Sequence, residues 1–229
     1  MNLLTIDTST STCSVALTRG EELRAELLVA GGPTLTSRLL ACVDTVLHSC
    51  GMTVAELDGF GVALGPGAFT GLRVGVAAVK GLALACERPV AGFSSLAMLA
   101  ANLPWALYPV CPMFDARKKE VYAALYRCGE LPEMILPDCV ISPERFLERL
   151  HGPTIFVGEG ALRYRELIRA VLGENALFAP SHLHQPRAAA GAELARSALA
   201  RGEAVALPLL NPTYIRPSEA ELAKSLDKR

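Results

Sequence analysis

The chain has 229 residues, 51% of them apolar, enough for one large domain or two small ones with a substantial core, and disorder is excluded as its main state. Its 22 Lys and Arg offset 23 Asp and Glu to a formal net charge of -1, so no global positive field draws it to a phosphate backbone, and any contact with nucleic acid has to be local or borrowed. Asp7 interrupts the apolar start Leu3-Leu4-Thr5-Ile6, against a secretory leader, and the most apolar stretch, from Val74, meets Lys80, Glu87 and Arg88 well short of the roughly 20 residues of a bilayer span. The expectation is a soluble cytoplasmic protein with unusually apolar helices and no membrane partner.

In chain order, residues 2–7, 13–18 and 22–29 are short β-compatible runs separated by Thr/Ser-rich and Arg-Gly turn signals. The periodicity then predicts a helix over 34–50, stopped by Gly51, and a short helical turn from Thr53 with Glu56 three residues on, a capping-box spacing. Strand 60–64, the loop GPGAFTG, helix 71–87, strand 89–93 and helix 95–102 complete a first βββαβαβα unit. The order recurs in strands 108–114 and 120–127, a weaker strand near 134–141, and helix 142–150 with Ser142 as N-cap and Pro143 at its first position. Strand 154–157, helix 161–172, a short strand near 177 and helix 188–201 follow. Two successive βββαβαβα units are the layout of the actin-like ATPase (ASKHA) class, a duplicated ribonuclease-H-like α/β fold. The expected lobes are 1–105 and 106–229, the tail after Pro208 being a candidate to pack back on the first lobe.

In that class the turn between the first two strands of each lobe wraps a phosphate with backbone N–H groups. Here those turns start at Asp7-Thr8-Ser9 and Asp115-Ala116-Arg117, so Asp7, Thr8, Ser9 and Asp115 are candidates for a vestigial phosphate site. The first turn has no glycine for close approach and the second carries long Arg117, so polar hairpins are favoured over a working cradle. The loop Gly65 to Gly71 lacks the Gly-Lys-Ser/Thr ending of a Walker motif. It offers either an anion site at a helix N-terminus near Arg73 or a packing turn, with Gly67 and Gly71 allowing close contact and Phe69 plugging a pocket; the packing turn is favoured. The seven cysteines contain no C-x-x-C pair and sit in apolar contexts, so they read as unpaired core residues. His182 and His184 lie in a Pro-flanked segment and read as loop polarity, since zinc wants three or four converging ligands. No catalytic, metal or cofactor-binding set is expected beyond the vestigial phosphate candidates.

Helix 71–87 confines Arg73, Lys80 and Glu87 to one narrow stripe, and helix 34–50 is apolar over about 160°, wider than the roughly 100° that a one-sided helix needs. The excess apolar surface points to a protein partner held by Leu39, Val43, Val46, Val76, Val79 and Lys80. The alternative is that the two helices pack on each other and on the returning C-terminal segment.

The segments Asp7-Thr8-Ser9, Cys13-Ser14-Val15-Ala16-Leu17, GPGAFTGLRVG from Gly65, Asp115-Ala116-Arg117 with Glu120-Val121-Tyr122, and Tyr214-Ile215-Arg216 resemble, in the same order, the TsaB (YeaZ) family of the bacterial tRNA threonylcarbamoyladenosine machinery. The resemblance implies a non-catalytic scaffold, similar in fold to TsaD. TsaD moves a threonylcarbamoyl group from threonylcarbamoyl-AMP to N6 of adenosine 37 in tRNAs reading ANN codons. TsaD carries H-x-x-x-H on its first long helix, whereas helix 34–50 here has only His48. Implied partners are TsaD, through the first-lobe helices, and the ATPase TsaE, with tRNA reached only indirectly. A homodimer on the same patch is expected when TsaD is absent. The competing readings are an actin-like small-molecule kinase or ATPase and, with no H-E-x-x-H or H-x-x-x-H in support, a metalloprotease.

Overall fold

A computed structural model describes residues 1–31 and 38–216. The first sheet contains β1 (Asn2–Asp7), β2 (Thr12–Arg19), β3 (Glu22–Ala30), β4 (Gly59–Gly65) and β5 (Val90–Ser94) in the order β3-β2-β1-β4-β5. The second contains β6 (Val110–Asp115), β7 (Val121–Cys128), β8 (Pro132–Ile141), β9 (Thr154–Val157) and β10 (Ala176–Phe178) in the order β8-β7-β6-β9-β10. Each sheet opens with an antiparallel meander and continues with parallel strands, so the duplication expected from element order is present in the hydrogen bonding itself.

The helices are α1 (Leu39–Ser49), α2 (Phe69–Cys86), α3 (Ser95–Ala100), α4 (Pro143–Leu147), α5 (Glu159–Arg163), α6 (Arg165–Leu172) and α7 (Ala188–Ala200). The expected start of the first helix, 34–37, lies outside the described residues. Helix 161–172 is divided at Tyr164 into α5 and α6, and the strand near 134–141 is a full ten-residue edge strand. Pro132 and Pro137 weaken its signature, yet an edge strand tolerates residues without a donor N–H.

Helices α1 and α2 cover one face of the first sheet and share a core with Leu4, Ile6, Val15 and Leu17. By length and composition α2 could cross a bilayer, but Leu72, Val76, Val79 and Ala83 are buried inside the protein. On the second sheet, α4, α5 and α6 bury Phe146, Leu147, Ala161 and Ile168 on one face. The remaining face of each sheet is covered by a helix from the other half of the chain. Leu96, Leu99 and Ala100 of α3 pack on Val110, Phe114 and Tyr126 of the second sheet, while Ala192 and Ala195 of α7 pack on Leu3 and Ala91 of the first.

Polar groups fix this exchange. The start of α7 is held by the first sheet: Ser14 Oγ accepts the Ala188 N–H at 2.9 Å and Glu26 Oε1 accepts the Ala189 N–H at 3.0 Å, satisfying helix N–H groups that have no partner within the helix. Arg187 closes an ion pair on the same carboxylate. Ser94 caps α3 and donates to Asp138 Oδ2 at 2.5 Å, while the Tyr126 hydroxyl donates to Asp138 Oδ1 at 2.8 Å, tying β5 to β8. The chain thus returns to the first sheet at Ala188, earlier than the crossing expected after Pro208. It then stays there: the Val205 N–H bonds the Val90 carbonyl at 2.8 Å, Leu210 is fully buried in the α1/α2 core, and the Thr213 N–H bonds the Leu64 carbonyl at 2.7 Å.

Candidate functional site

The sequence candidates fall on two turns at corresponding ends of β1 and β6. In each, the strand-end aspartate accepts the N–H two residues on: Asp7 Oδ1 from Ser9 and Asp115 Oδ1 from Arg117, both at 3.0 Å. The shared bond is an Asx-type turn, and the surroundings then diverge.

The first turn is sealed. Asp7, Thr8 and Ser9 are buried, and a run of glycines lets α2 and its entry loop lie directly on them. A Cβ at Gly67 would sit 2.2 Å from the Ser9 carbonyl oxygen, one at Gly71 2.0 Å from that of Thr8, and one at Gly75 2.4 Å from Thr8 Oγ1. Thr8 Oγ1 donates to the Gly71 carbonyl at 2.7 Å, and the Ser9 carbonyl accepts the Ala68 N–H at 2.7 Å. A backbone oxygen therefore stands at the helix entrance where an anion would have to bind. The packing role expected for Gly67 and Gly71 is what the geometry shows. Phe69 departs from expectation: it stacks face to face on Tyr214, ring centroids 4.3 Å apart, instead of plugging a pocket. Arg73 turns to the same pair, its Nε donating to the Tyr214 hydroxyl at 2.8 Å.

Sealing has an electrostatic consequence for Asp7. Burial, only partly opposed by hydrogen bonding from Ser9, raises its pKa from 3.8 to about 6, and Oδ2 has no partner among the described residues. Between those values the folded protein holds a proton that the unfolded chain releases. The associated stability is full below 3.8 and lost as pH rises through 6, about 3 kcal/mol in all. Asp7→Asn removes this titration, so the variant's unfolding free energy relative to the parent should climb by about that amount between about pH 4 and pH 7. Denaturant curves at several pH values read it, and a difference independent of pH would refute the assignment.

The second turn is open and cationic. Asp115 Oδ2 pairs with Arg163 at 3.3 Å, and Arg216 donates to the Ala116 carbonyl at 2.7 Å and pairs with Glu120. Glu159, at the start of α5, has a raised pKa through burial and then through the charge of Asp115. Arg117, Lys118 and Lys119 have φ of 59°, 52° and 62°, a left-handed run that costs roughly 1–2 kcal/mol per non-glycine residue. The C-terminal segment thus spans both turns' surroundings, Tyr214 on Phe69 and Arg216 on the 115–120 turn.

Five of the six expected interface residues lie elsewhere than anticipated. Leu39, Val43, Val46, Val76 and Val79 are all at most 4% exposed, inside the first core, and only Lys80 is partly exposed. Their apolar arcs are covered by the sheet and by the returning Val205, Leu207 and Leu210, the alternative weighed for the sequence. The outward face of α2 carries Arg73, Ala77, Gly81 and Leu84 (71% exposed), and that of α1 carries Leu40 (60% exposed) and Ala41 with the polar Asp44, Thr45 and His48.

Glu159, Arg163 and Arg216 were not legible as a cluster, although Gly158-Glu159-Gly160 after β9 echoes Gly65-Pro66-Gly67 after β4 and could have drawn attention to Glu159. His184 was misread as loop polarity. It is buried, its Nδ1 accepting the Gly158 N–H at 3.0 Å and its Nε2 facing the Ala179 carbonyl at 2.9 Å, an arrangement for a neutral ring, and burial lowers its pKa. Among the described residues no three His, Cys, Asp or Glu converge as metal ligands.

Two ribonuclease-H-like lobes with exchanged helices and paired Asp-anchored turns define the actin-like ATPase fold, and the ROK hexokinase of Thermus thermophilus superposes with a TM-score of 0.50 at 12% identity, covering 87% of this chain and 100% of that one. Closer likeness is to YeaZ from Pseudomonas aeruginosa, with a TM-score of 0.80 at 31% identity over 93% of this chain and 99% of that one. The TsaB proteins of Bacillus subtilis and Escherichia coli are 34% and 30% identical, each alignment covering 96% of both chains. The family model described as TsaD, tRNA N6-adenosine threonylcarbamoyltransferase, matches residues 33–224. The chain belongs to the TsaB (YeaZ) family, related to TsaD, and its role lies in tRNA threonylcarbamoyladenosine (t6A) biosynthesis.

Proposed function

We propose that this chain is the non-catalytic scaffold subunit of the t6A transferase, required for modification of adenosine 37 in tRNAs reading ANN codons, and that it acts in the cytoplasm by binding TsaD. The observation that carries this reading is the outward face of α2, where Ala77, Gly81 and Leu84 give a surface of small and apolar groups, with exposed Leu40 and Ala41 beside polar Asp44, Thr45 and His48 on α1, on a member of a family that works in t6A biosynthesis. Small residues let a partner helix approach closely, and Lys80 lies at the edge of the face. TsaE docks on the assembled pair, and without TsaD the same face serves a two-fold homodimer. The lack of a second histidine beside His48 on α1 supports a role without transfer chemistry or a resident metal.

Reconstitution with tRNA and threonylcarbamoyl-AMP tests the proposal. The chain alone should transfer nothing, and its addition to TsaD and TsaE should raise activity well above that of those two proteins. Transfer by the chain alone would overturn the scaffold role, and ATP turnover by it would favour the actin-like kinase instead.

A further inference from the structure

Between α3 and β6 the chain runs through residues 101–109 beside the β7–β8 hairpin, and the two border a cavity of about 430 Å³ that lies apart from both Asp-anchored turns. Trp105, Leu107, Tyr108, Arg127, Gly129 and Glu133 line it. Trp105 is the chain's single tryptophan, and it stands directly after Pro104 in a left-handed conformation with φ 57°. A turn can ask for that backbone, but glycine or asparagine ordinarily supplies it, and a bulky residue there is an outlier. Packing inside the fold does not account for the indole, since the side chain is 75% exposed. The residue is nonetheless held in place: its N–H bonds the Gly129 carbonyl at 3.2 Å, and a Cβ at Gly129 would lie 3.9 Å from its ring. Outliers kept by surrounding structure concentrate at ligand-contacting positions. On the hairpin, Arg127 and Glu133 are cross-strand neighbours joined by an ion pair of 3.5 Å, with both side chains mostly exposed. A pair of that kind adds little to stability, so a ligand can replace it readily.

We propose that this cavity binds a nucleobase, with its ring stacked on Trp105 and its hydrogen-bonding edge met by Arg127 and Glu133. The composition of the walls selects this occupant. An apolar side chain from a protein would suit the indole but press Arg127 and Glu133 against carbon, and charged groups are depleted where interfaces are dry. A bare anion would be repelled by Glu133. A base brings a π-face for the indole together with N–H donors for Glu133 and acceptors for Arg127. The two charges cancel, so the site recognises the base and not its phosphate. In a protein of t6A biosynthesis that base can come from a free nucleotide or from an unstacked position of tRNA. The second source would give this chain a direct RNA contact, against the expectation that RNA is reached only through partners.

Because Trp105 is the single tryptophan, quenching of its fluorescence reads this site alone. The full chain is titrated with adenosine, with guanosine, with a short single-stranded oligoadenylate, and with that strand annealed to oligouridylate. The nucleosides and the single strand should quench the emission, and the duplex, whose bases are already stacked and paired, should leave it unchanged. Tighter binding of the strand than of adenosine assigns the base to RNA, and equal binding assigns it to a free nucleotide. Arg127→Gln and Glu133→Gln should each weaken binding by about tenfold. Arg88→Gln, at an exposed arginine of the other lobe, should leave it as it is. Trp105→Gly, followed by calorimetry, should weaken binding by about tenfold or more. The same variant should melt at a higher temperature, since glycine accepts the left-handed backbone, which separates a lost contact from lost structure. No quenching by the nucleosides and the single strand, equal quenching by the duplex, or parental affinity in the Arg127, Glu133 and Trp105 variants would overturn the proposal. So would loss of TsaD by Trp105→Gly in a chain that takes no base, because the cavity would then be a protein contact. Failure of the parent protein to bind TsaD strikes the scaffold role instead and leaves these titrations intact.

Discussion

Replacing Gly71 with alanine should destabilise the protein by on the order of 3 kcal/mol or more, the largest effect expected of any single added methyl group. The new Cβ would lie 2.0 Å from the Thr8 carbonyl oxygen, inside any allowed contact, and both parties are main chain, so no side chain can swing aside. Thr8 is itself tied to Gly71 by its hydroxyl, and Asp7 and Ser9 on either side are buried. Relief requires α2 to lift from the first sheet, loosening Leu72, Val76 and Val79 together. Gly81→Ala on the same helix is the control: a Cβ there meets nothing within 4 Å, and alanine should stabilise the helix by about 0.5–1 kcal/mol. Urea unfolding of the two variants decides the matter, and equal midpoints would refute the close-packing account.

A glutamate at Val79 and one at Leu84, five residues apart on α2, should fail in opposite ways. Val79 is fully buried in the first core, so its replacement forces an unpaired carboxylate into an apolar interior at several kcal/mol, and the variant should not fold. Leu84 is 71% exposed, so Leu84→Glu should leave stability within about 0.5 kcal/mol. If the outward face binds TsaD, the same substitution should weaken that complex by about 2 kcal/mol or more, roughly thirtyfold, through a charge left dry at the interface. Circular dichroism melts and titration calorimetry with TsaD give both readings. A folded Leu84→Glu protein with parental affinity would move the interface off α2.

The pairing of residues with roles was legible unevenly, for physical reasons. Strand runs, Gly stops and the Ser142-Pro143 helix start are local signals, and they carried the duplicated element order. The glycines at 67 and 71 were readable as packing devices because glycine-rich turns commonly serve close packing and the loop lacks a Walker ending. Which apolar residues face inward on α1 and α2 was not readable. Helical periodicity measures an apolar arc, but coverage of that arc depends on Val205, Leu207 and Leu210, more than a hundred residues away. His184 failed similarly: its burial depends on the Gly158 N–H, 26 positions distant. The left-handed run at 117–119 carried no residue signal, since left-handed backbone is ordinarily announced by glycine or asparagine; only the tight β6–β7 hairpin, closed by the Glu120 N–H on the Arg117 carbonyl, favours positive φ at Lys118 and Lys119.

The exchange of α3 and α7 between the sheets also sets a schedule for synthesis. A nascent chain that has emerged through residue 105 has all five strands of the first sheet, yet the helix that covers the inner face is still to be translated. Leu3 and Ala91 then stay open until Ala192 and Ala195 leave the ribosome, after all ten described strands. Separately expressed halves should therefore collapse with one apolar sheet face exposed and aggregate unless combined. Strand β1 thus waits on α7, so the commitment to a native structure comes only after the strands of both sheets have been made.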